Sequence, residues 1–172
     1  EVPIEERAAP EFQEVVQLGL TLASRLPGDR RETLRSGLND LIRVVTIEAV
    51  PREMKYDTTE FTVSAGKPVV IVFKNPDAID HNLVVVEPGA MEAVGKMGDA
   101  MAGDPEAYEK DFVPDTDQVL WATDLIGTGE QDQLSFIAPE EPGAYPYECT
   151  FPGHWRTMNG TMRVTGSPAA SR

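Results

Sequence analysis

The chain has 172 residues, 41% of them hydrophobic, with a formal net charge of −14, which suits one cored domain with an appendage. The charge argues against nucleic acid, whose phosphates need a basic surface; it reads as solubility or as steering toward a basic partner. A single cysteine excludes an internal disulfide and any four-cysteine zinc or iron–sulfur centre within one chain, and no apolar run reaches membrane-span length.

Residues 1–9 are polar and read as a mobile lead-in. The start at Glu1, without a signal-peptide pattern, reads as a processed form or a domain cut from something longer. Pro10 suits the first turn of a helix, with Glu11 and Glu14 favouring the positive end of its dipole. Phe12, Val15, Val16, Leu18, Leu22 and Leu26 follow at helical spacing. Pro27-Gly28 stops this helix, and Asp29-Arg30-Arg31-Glu32 reads as a capping-box variant opening a second. Leu34, Leu38, Leu41 and Ile42 share its face. Two short amphipathic helices need something to pack on: the following domain, a sister subunit or an upstream domain.

From residue 43 the period changes to that of strands. Val45, Ile47 and Ala49 alternate, then Phe61 and Val63, then the run Val69 to Phe73. Lys67-Pro68 and Asn75-Pro76-Asp77 punctuate them. Further strands are predicted after His81, over Gln131 to Ile137, over Ala144 to Cys149, and over Thr161 to Thr165 behind a tight turn at Asn159-Gly160. The pattern predicts an all-β sandwich. Pro88 to Asp124 breaks the rhythm as a helical excursion, with one helix over Ala90 to Met101 and a second opening at Asp104-Pro105. Met91, Met97 and Met101 on the first are expected to pack rather than to form a second metal site. The division predicted is a helical extension over 1–42, a sandwich over 43–165 and a disordered tail over 166–172.

Cys149-Thr150-Phe151-Pro152-Gly153-His154-Trp155-Arg156-Thr157-Met158 carries the chemistry. It places a thiol, an imidazole and a thioether on one short loop. The only other histidine is His81, in Asp80-His81-Asn82. Two histidines and a cysteine with a weak axial methionine are the ligand pattern of an electron-transfer copper site. Tyr145, Tyr147 and Cys149 share a strand face; if it faces inward, the thiol is desolvated at the rim of the core. Met162 competes with Met158 for the axial role, but it sits on the predicted last strand, where core packing accounts for it. Taken singly, each ligand residue has an ordinary structural explanation; taken together, all the cysteine and histidine falls at ligand positions.

The loop, together with Asn159-Gly160-Thr161-Met162 and the pair His81-Asn82, resembles the copper-binding sequences of azurins and auracyanins, which are cupredoxins with a Greek-key β-sandwich. The resemblance covers roughly residues 43–165. It implies copper ligation by His81, Cys149, His154 and Met158. It also implies that Asn82 ties the two ligand loops together, that a backbone N–H near the thiolate, at Asn82, hydrogen-bonds the sulfur, that Asp80, Asn82 and Thr150 surround the ligands, and that the protein is periplasmic or otherwise extracytoplasmic. Two features depart from azurins proper. Asp80 replaces the glycine whose carbonyl is a distant extra ligand, and the azurin disulfide is impossible with one cysteine. The likeness is therefore nearer to auracyanin.

The function expected is one-electron transfer through one type 1 copper, passed to redox proteins such as cytochromes. His154 would be the gateway within an apolar collar of Phe151, Pro152 and Trp155. An alternative is a copper-binding interaction or storage module, tethered in a larger assembly by residues 10–42, which could equally mediate self-association. A copper oxidase or nitrite reductase would need further histidines, and a binuclear purple centre a second thiolate. Zinc would also fit the ligands.

Overall fold

The computed structural model describes Arg7 and residues 9–166. The predicted lead-in lies almost wholly outside the described residues, as does the predicted tail beyond Gly166. Among the described residues, nine strands form two sheets: β1 (Arg43–Val50), β2 (Lys55–Tyr56), β3 (Glu60–Ser64), β4 (Pro68–Lys74), β5 (Val84–Val86), β6 (Val119–Ala122), β7 (Gln131–Ile137), β8 (Gly143–Glu148) and β9 (Asn159–Thr165). One sheet has the order β2-β1-β4-β7 and the other β3-β9-β8-β5-β6. β1 runs parallel to β4 and β3 parallel to β9, while the other pairs are antiparallel.

Alternation along the strands decides what fills the space between the sheets. Val45, Ile47 and Ala49 of β1 point inward with Val69, Ile71 and Phe73 of β4. They meet Tyr145, Tyr147, Cys149 and Met162 from the other sheet in one buried cluster. Tyr145, Tyr147 and Cys149 thus share the inward face expected of them. β5 is buried along its whole length, because its outer side is covered as well.

Helices cover both outer faces. α1 (Pro10–Ala23) and α2 (Gly28–Leu41) form a hairpin, and Val16 and Ile42 pack on Val70 with Phe12, Leu20, Leu38, Val44 and Val72 around them. Helices this short gain their stability from such packing rather than from propensity. α3 (Met91–Ala100) places Ala90 and Val94 over Val84 and Val86. Among the described residues, no helix is long and apolar enough to cross a membrane.

Five local expectations are corrected. α2 begins at Gly28 with Pro27 as its cap residue and no capping side chain, so Asp29 lies inside the first turn. Asp104-Pro105 opens a series of turns rather than a helix: Asp104 Oδ1 accepts the Glu106 amide at 2.9 Å, and Asp111 and Phe112 both have φ of +53°, which no right-handed helix accommodates. Asn159-Gly160 belongs to β9 rather than to a turn, and a Cβ at Gly160 would collide with the Tyr147 ring. β6 occupies part of the interval read as helical excursion. Met97 is exposed, whereas Met91 packs against the Val84 cluster.

Candidate metal centre

His81, Cys149 and His154 come together at one end of the sandwich, all buried, with one ligand atom from each within 4.8 Å of the others. His81 is fixed just before β5 by a two-way backbone bridge to Ile126, its amide donating at 3.2 Å and its carbonyl accepting at 3.0 Å. Cys149 directly follows β8, and its amide donates to the Met158 carbonyl at 3.0 Å. Between them the loop turns through Gly153, whose φ of +88° favours glycine. His154 then opens a short 3-10 turn, and the Met158 amide donates back to its carbonyl at 2.8 Å. Met158 is fully buried in the cluster that also holds Cys149.

Cys149 Sγ lies 3.8 Å from His81 Nδ1 and 3.5 Å from His154 Nδ1. A metal bound at the usual 2.0–2.3 Å to two nitrogens and a sulfur holds such atoms about 3.5–3.8 Å apart, so the donor set fits one ion. Burial lowers the His154 pKa to about 4, aided by the neighbouring His81. Burial also lowers that of His81, against the opposing pull of Asp77 and Asp80. Both rings are therefore neutral, with a lone pair free to bind. Burial pushes the Cys149 thiol up to about 12, although the amides of Asn82 and Phe151 that donate to its sulfur favour the thiolate. Metal binding must displace that proton.

Asn82 joins the two ligand segments. Its Oδ1 accepts the Thr150 amide at 2.9 Å and its Nδ2 donates to Thr150 Oγ1 at 2.9 Å. Nδ2 also donates to the Asp111 carbonyl at 2.7 Å, and Tyr56 Oη donates to the Asn82 carbonyl at 2.7 Å. Asp80 is half-buried beside the first histidine and reaches it through its charge.

The collar differs from expectation. Phe151 and Pro152 are half-exposed beside His154, which keeps 6% exposure, but Trp155 is only 9% exposed. Its indole lies under α3, where Gly95 has no side chain to obstruct it, and its Nε1 donates to Asp99 at 3.1 Å. The exposed aromatic ring is instead Tyr108. A chain of ring contacts runs from Tyr108 through Phe112 (centroids 5.0 Å) and Phe151 (4.8 Å) to His154 (4.9 Å). Sequence reasoning missed Tyr108, Phe112, Asp99 and Asp77. Asp77 did stand four residues before His81, but within Asn75-Pro76-Asp77, which reads as punctuation.

The chain matches the family model of copper binding proteins of the plastocyanin/azurin family over residues 44–165. It is 36% identical over 124 residues to Auracyanin-A of Chloroflexus aurantiacus, covering 70% of this chain and 74% of that one. It is 32% identical to azurin of Pseudomonas aeruginosa, over 65% of this chain and 78% of that one. Auracyanin-B of Chloroflexus aurantiacus is 32% identical, and the match spans about half of its length, 52%. Among solved structures, auracyanin A, a "blue" copper protein, superposes with a TM-score of 0.64 at 33% identity, covering 72% of this chain and 99% of that one. The reduced auracyanin of Roseiflexus castenholzii gives 0.62 at 33% identity, over 71% and 96%. With its two-sheet sandwich and its converging cysteine and histidines, the chain belongs to the plastocyanin/azurin family of copper-binding proteins.

Proposed function

We propose that His81, Cys149, His154 and Met158 hold the copper of this blue copper protein, a one-electron carrier rather than an enzyme. The observation that carries the assignment is the convergence of three buried ligand atoms from two segments 68 residues apart, with Sγ 3.5 and 3.8 Å from the two Nδ1 atoms. Copper supplies a one-electron Cu(II)/Cu(I) couple when bound. The protein's part is to keep the donors still: Asn82, Thr150 and the backbone bridges fix both segments, and burial excludes water. Donors that cannot relax keep the reorganisation on electron transfer small. Adding Cu(II) to metal-free protein should give an intense blue or green colour and a narrow copper hyperfine splitting, both lost in Cys149→Ser. A pale, ordinary Cu(II) spectrum that ignores Cys149→Ser would overturn the assignment.

Electrons leave, on this reading, by His154 toward Phe151 and Tyr108. The turn that carries Tyr108 also carries Asp104, Glu106, Glu109 and Asp111 against Lys110 alone, so the partner we propose is a carrier with a basic face, such as a cytochrome. A transfer rate to a basic cytochrome that does not fall with added salt would remove that partner. The family likeness supports a place outside the cytoplasm, the periplasm being the compartment we propose.

A specific observation also supports association through residues 10–42. Glu11, Val15, Leu18 and Leu22 on α1 and Arg25 just beyond its end follow 4-3-4-3 spacing, and all five are exposed. A two-fold axis at Leu18 would bring Val15 against Leu22 and Glu11 against Arg25 of a second copy. Sedimentation of the wild type and Leu18→Glu tests this: a dimer lost in the variant supports it, and a wild-type monomer at high concentration removes it.

A further inference from the structure

We infer that Asp77 is a positioning residue for the copper site, holding His81 with its Nδ1 turned to the metal and placing a negative charge behind the ring. The inference rests on the ligand assignment above. Asp77 Oδ2 lies 3.2 Å from His81 Nε2, and the two side chains are 4% and 0% exposed. The carboxylate is itself fixed. Its Oδ1 accepts the amides of Ala78 at 2.7 Å and Arg52 at 3.1 Å, and the Asp77 amide donates to Asn75 Oδ1 at 3.0 Å. Asn75 Nδ2 in turn donates to the carbonyls of Ile79 and Ile126, both at 2.8 Å. Arg52 reaches this position with a φ of +68°, a backbone state that is uncommon outside glycine. One oxygen of Asp77 is thus occupied by the backbone and the other is aimed at the histidine.

A neutral imidazole carries one N–H, and a carboxylate can only accept. The contact therefore assigns the proton to Nε2 and leaves the Nδ1 lone pair facing Sγ. A carboxylate behind a ligand imidazole also makes it a stronger donor. Its charge, in a site closed to water, favours Cu(II) over Cu(I), so it lowers the reduction potential. Asparagine at this position would keep an oxygen for the two amides but would set an NH₂ group against Nε2–H. Donor would then face donor, and the charge would be gone.

The test compares wild type with Asp77→Asn, both loaded with copper, using Asp132→Asn as control. Asp132 accepts the Asp124 amide at 2.9 Å on β7, and that pairing lies outside the ligand network. Asp77→Asn is expected to bind copper 10- to 100-fold more weakly and to show a raised potential, with Asp132→Asn unchanged in both. Unchanged affinity and potential in Asp77→Asn, in a protein whose wild type is blue, would overturn the role of Asp77 and leave the ligand assignment standing. A colourless wild type would instead overturn the ligand assignment, and this inference with it. Should Asp77→Asn fail to fold, nitrogen-15 NMR of the Cu(I)-loaded wild type decides the matter. A protonated Nε2 with a slowly exchanging, downfield proton on His81 is expected, and an unprotonated Nε2 would overturn the inference.

Discussion

Asp99, near the end of α3, accepts the amide of Gly153 at 2.7 Å, so a helix 54 residues upstream is fastened to the middle of the ligand loop. Its second oxygen takes the Trp155 indole N–H at 3.1 Å and the Arg156 guanidinium at 2.8 Å. The excursion that interrupts the strand pattern thereby serves as a splint, holding the loop between Cys149 and Met158 from outside.

Removing the splint should loosen the loop. Asp99→Ala leaves the Gly153 amide and the indole N–H without their acceptor, which is expected to cost about 1–3 kcal/mol in chemical denaturation. The half-exposed Arg156 pair adds little. Desolvation raises the Asp99 pKa, but the bonds from Arg156, Trp155 and Gly153 outweigh it, and the carboxyl is held below its ordinary 3.8. Its contribution is therefore present at neutral pH and is lost as the pH falls below 3.8. Wild type and Asp99→Ala should converge in stability in that acid range.

Gly98→Ala offers a sharper test of the helix–loop contact, because propensity and packing predict opposite signs. Alanine favours a helix over glycine by about 1 kcal/mol. A Cβ at Gly98, however, would collide with the Thr150 carbonyl, which is backbone next to Cys149. A net loss of about 1–3 kcal/mol is expected, together with a shifted copper absorption band. A stabilised variant with an unaltered spectrum would show that α3 does not bear on the loop.

The difference between what the sequence disclosed and what it hid follows from range. Cys149, His154 and Met158 were legible because ten residues of contiguous chain carry all three, and His81 because it is the only other histidine. The strands of the sandwich announced themselves by alternation, as in β1 and β7. Residues that act across distance left no local mark. Asp77 looks like any turn aspartate, and Asp99 like any helix-surface acid, until the fold brings each to its partner. Gly160 was misread as a turn because nothing nearby shows that Tyr147, on the paired strand, needs its missing side chain. Trp155 was placed in the docking collar because aromatic residues next to a ligand suit one, whereas the space beneath α3 made by Gly95 is visible only in three dimensions.

The buried thiol leads to a prediction for metal loading. With Cys149 pushed up to about 12 and His154 down to about 4, metal-free protein at pH 7 carries a protonated thiol and neutral imidazoles. Copper uptake should release about one proton per site in weakly buffered solution. The metal-free thiol should also resist alkylation at pH 7–8 until the protein is unfolded. Rapid alkylation of the native protein would show that Cys149 is neither buried nor protonated as described.

Glu148 lies on the opposite side of β8 from the ligand beside it, fully buried, and neither of its oxygens finds a hydrogen-bond partner among the described residues. Burial, and to a lesser degree the charge of Asp99, raises its pKa from 4.5 to about 8. The folded protein keeps this proton while the unfolded chain gives it up above pH 4.5, so stability falls as the pH rises from 4.5 to 8. The buried histidines work the other way: the unfolded chain takes a proton on His154 below 6.5 that the folded site refuses down to about 4, and burial holds His81 below 6.5 as well, so stability rises with pH across that window. In metal-free protein the two trends oppose each other between 4.5 and 6.5, and the Glu148 decline is left alone above 6.5. Chemical denaturation from pH 4.5 to 8 should therefore show no loss up to about 6.5, where the two histidines offset Glu148, and a loss above it. Glu148→Gln should remove that loss and gain on the order of 2–4 kcal/mol at pH 8. A wild type whose stability climbs steadily to pH 8 would mean that Glu148 is ionised in the folded protein.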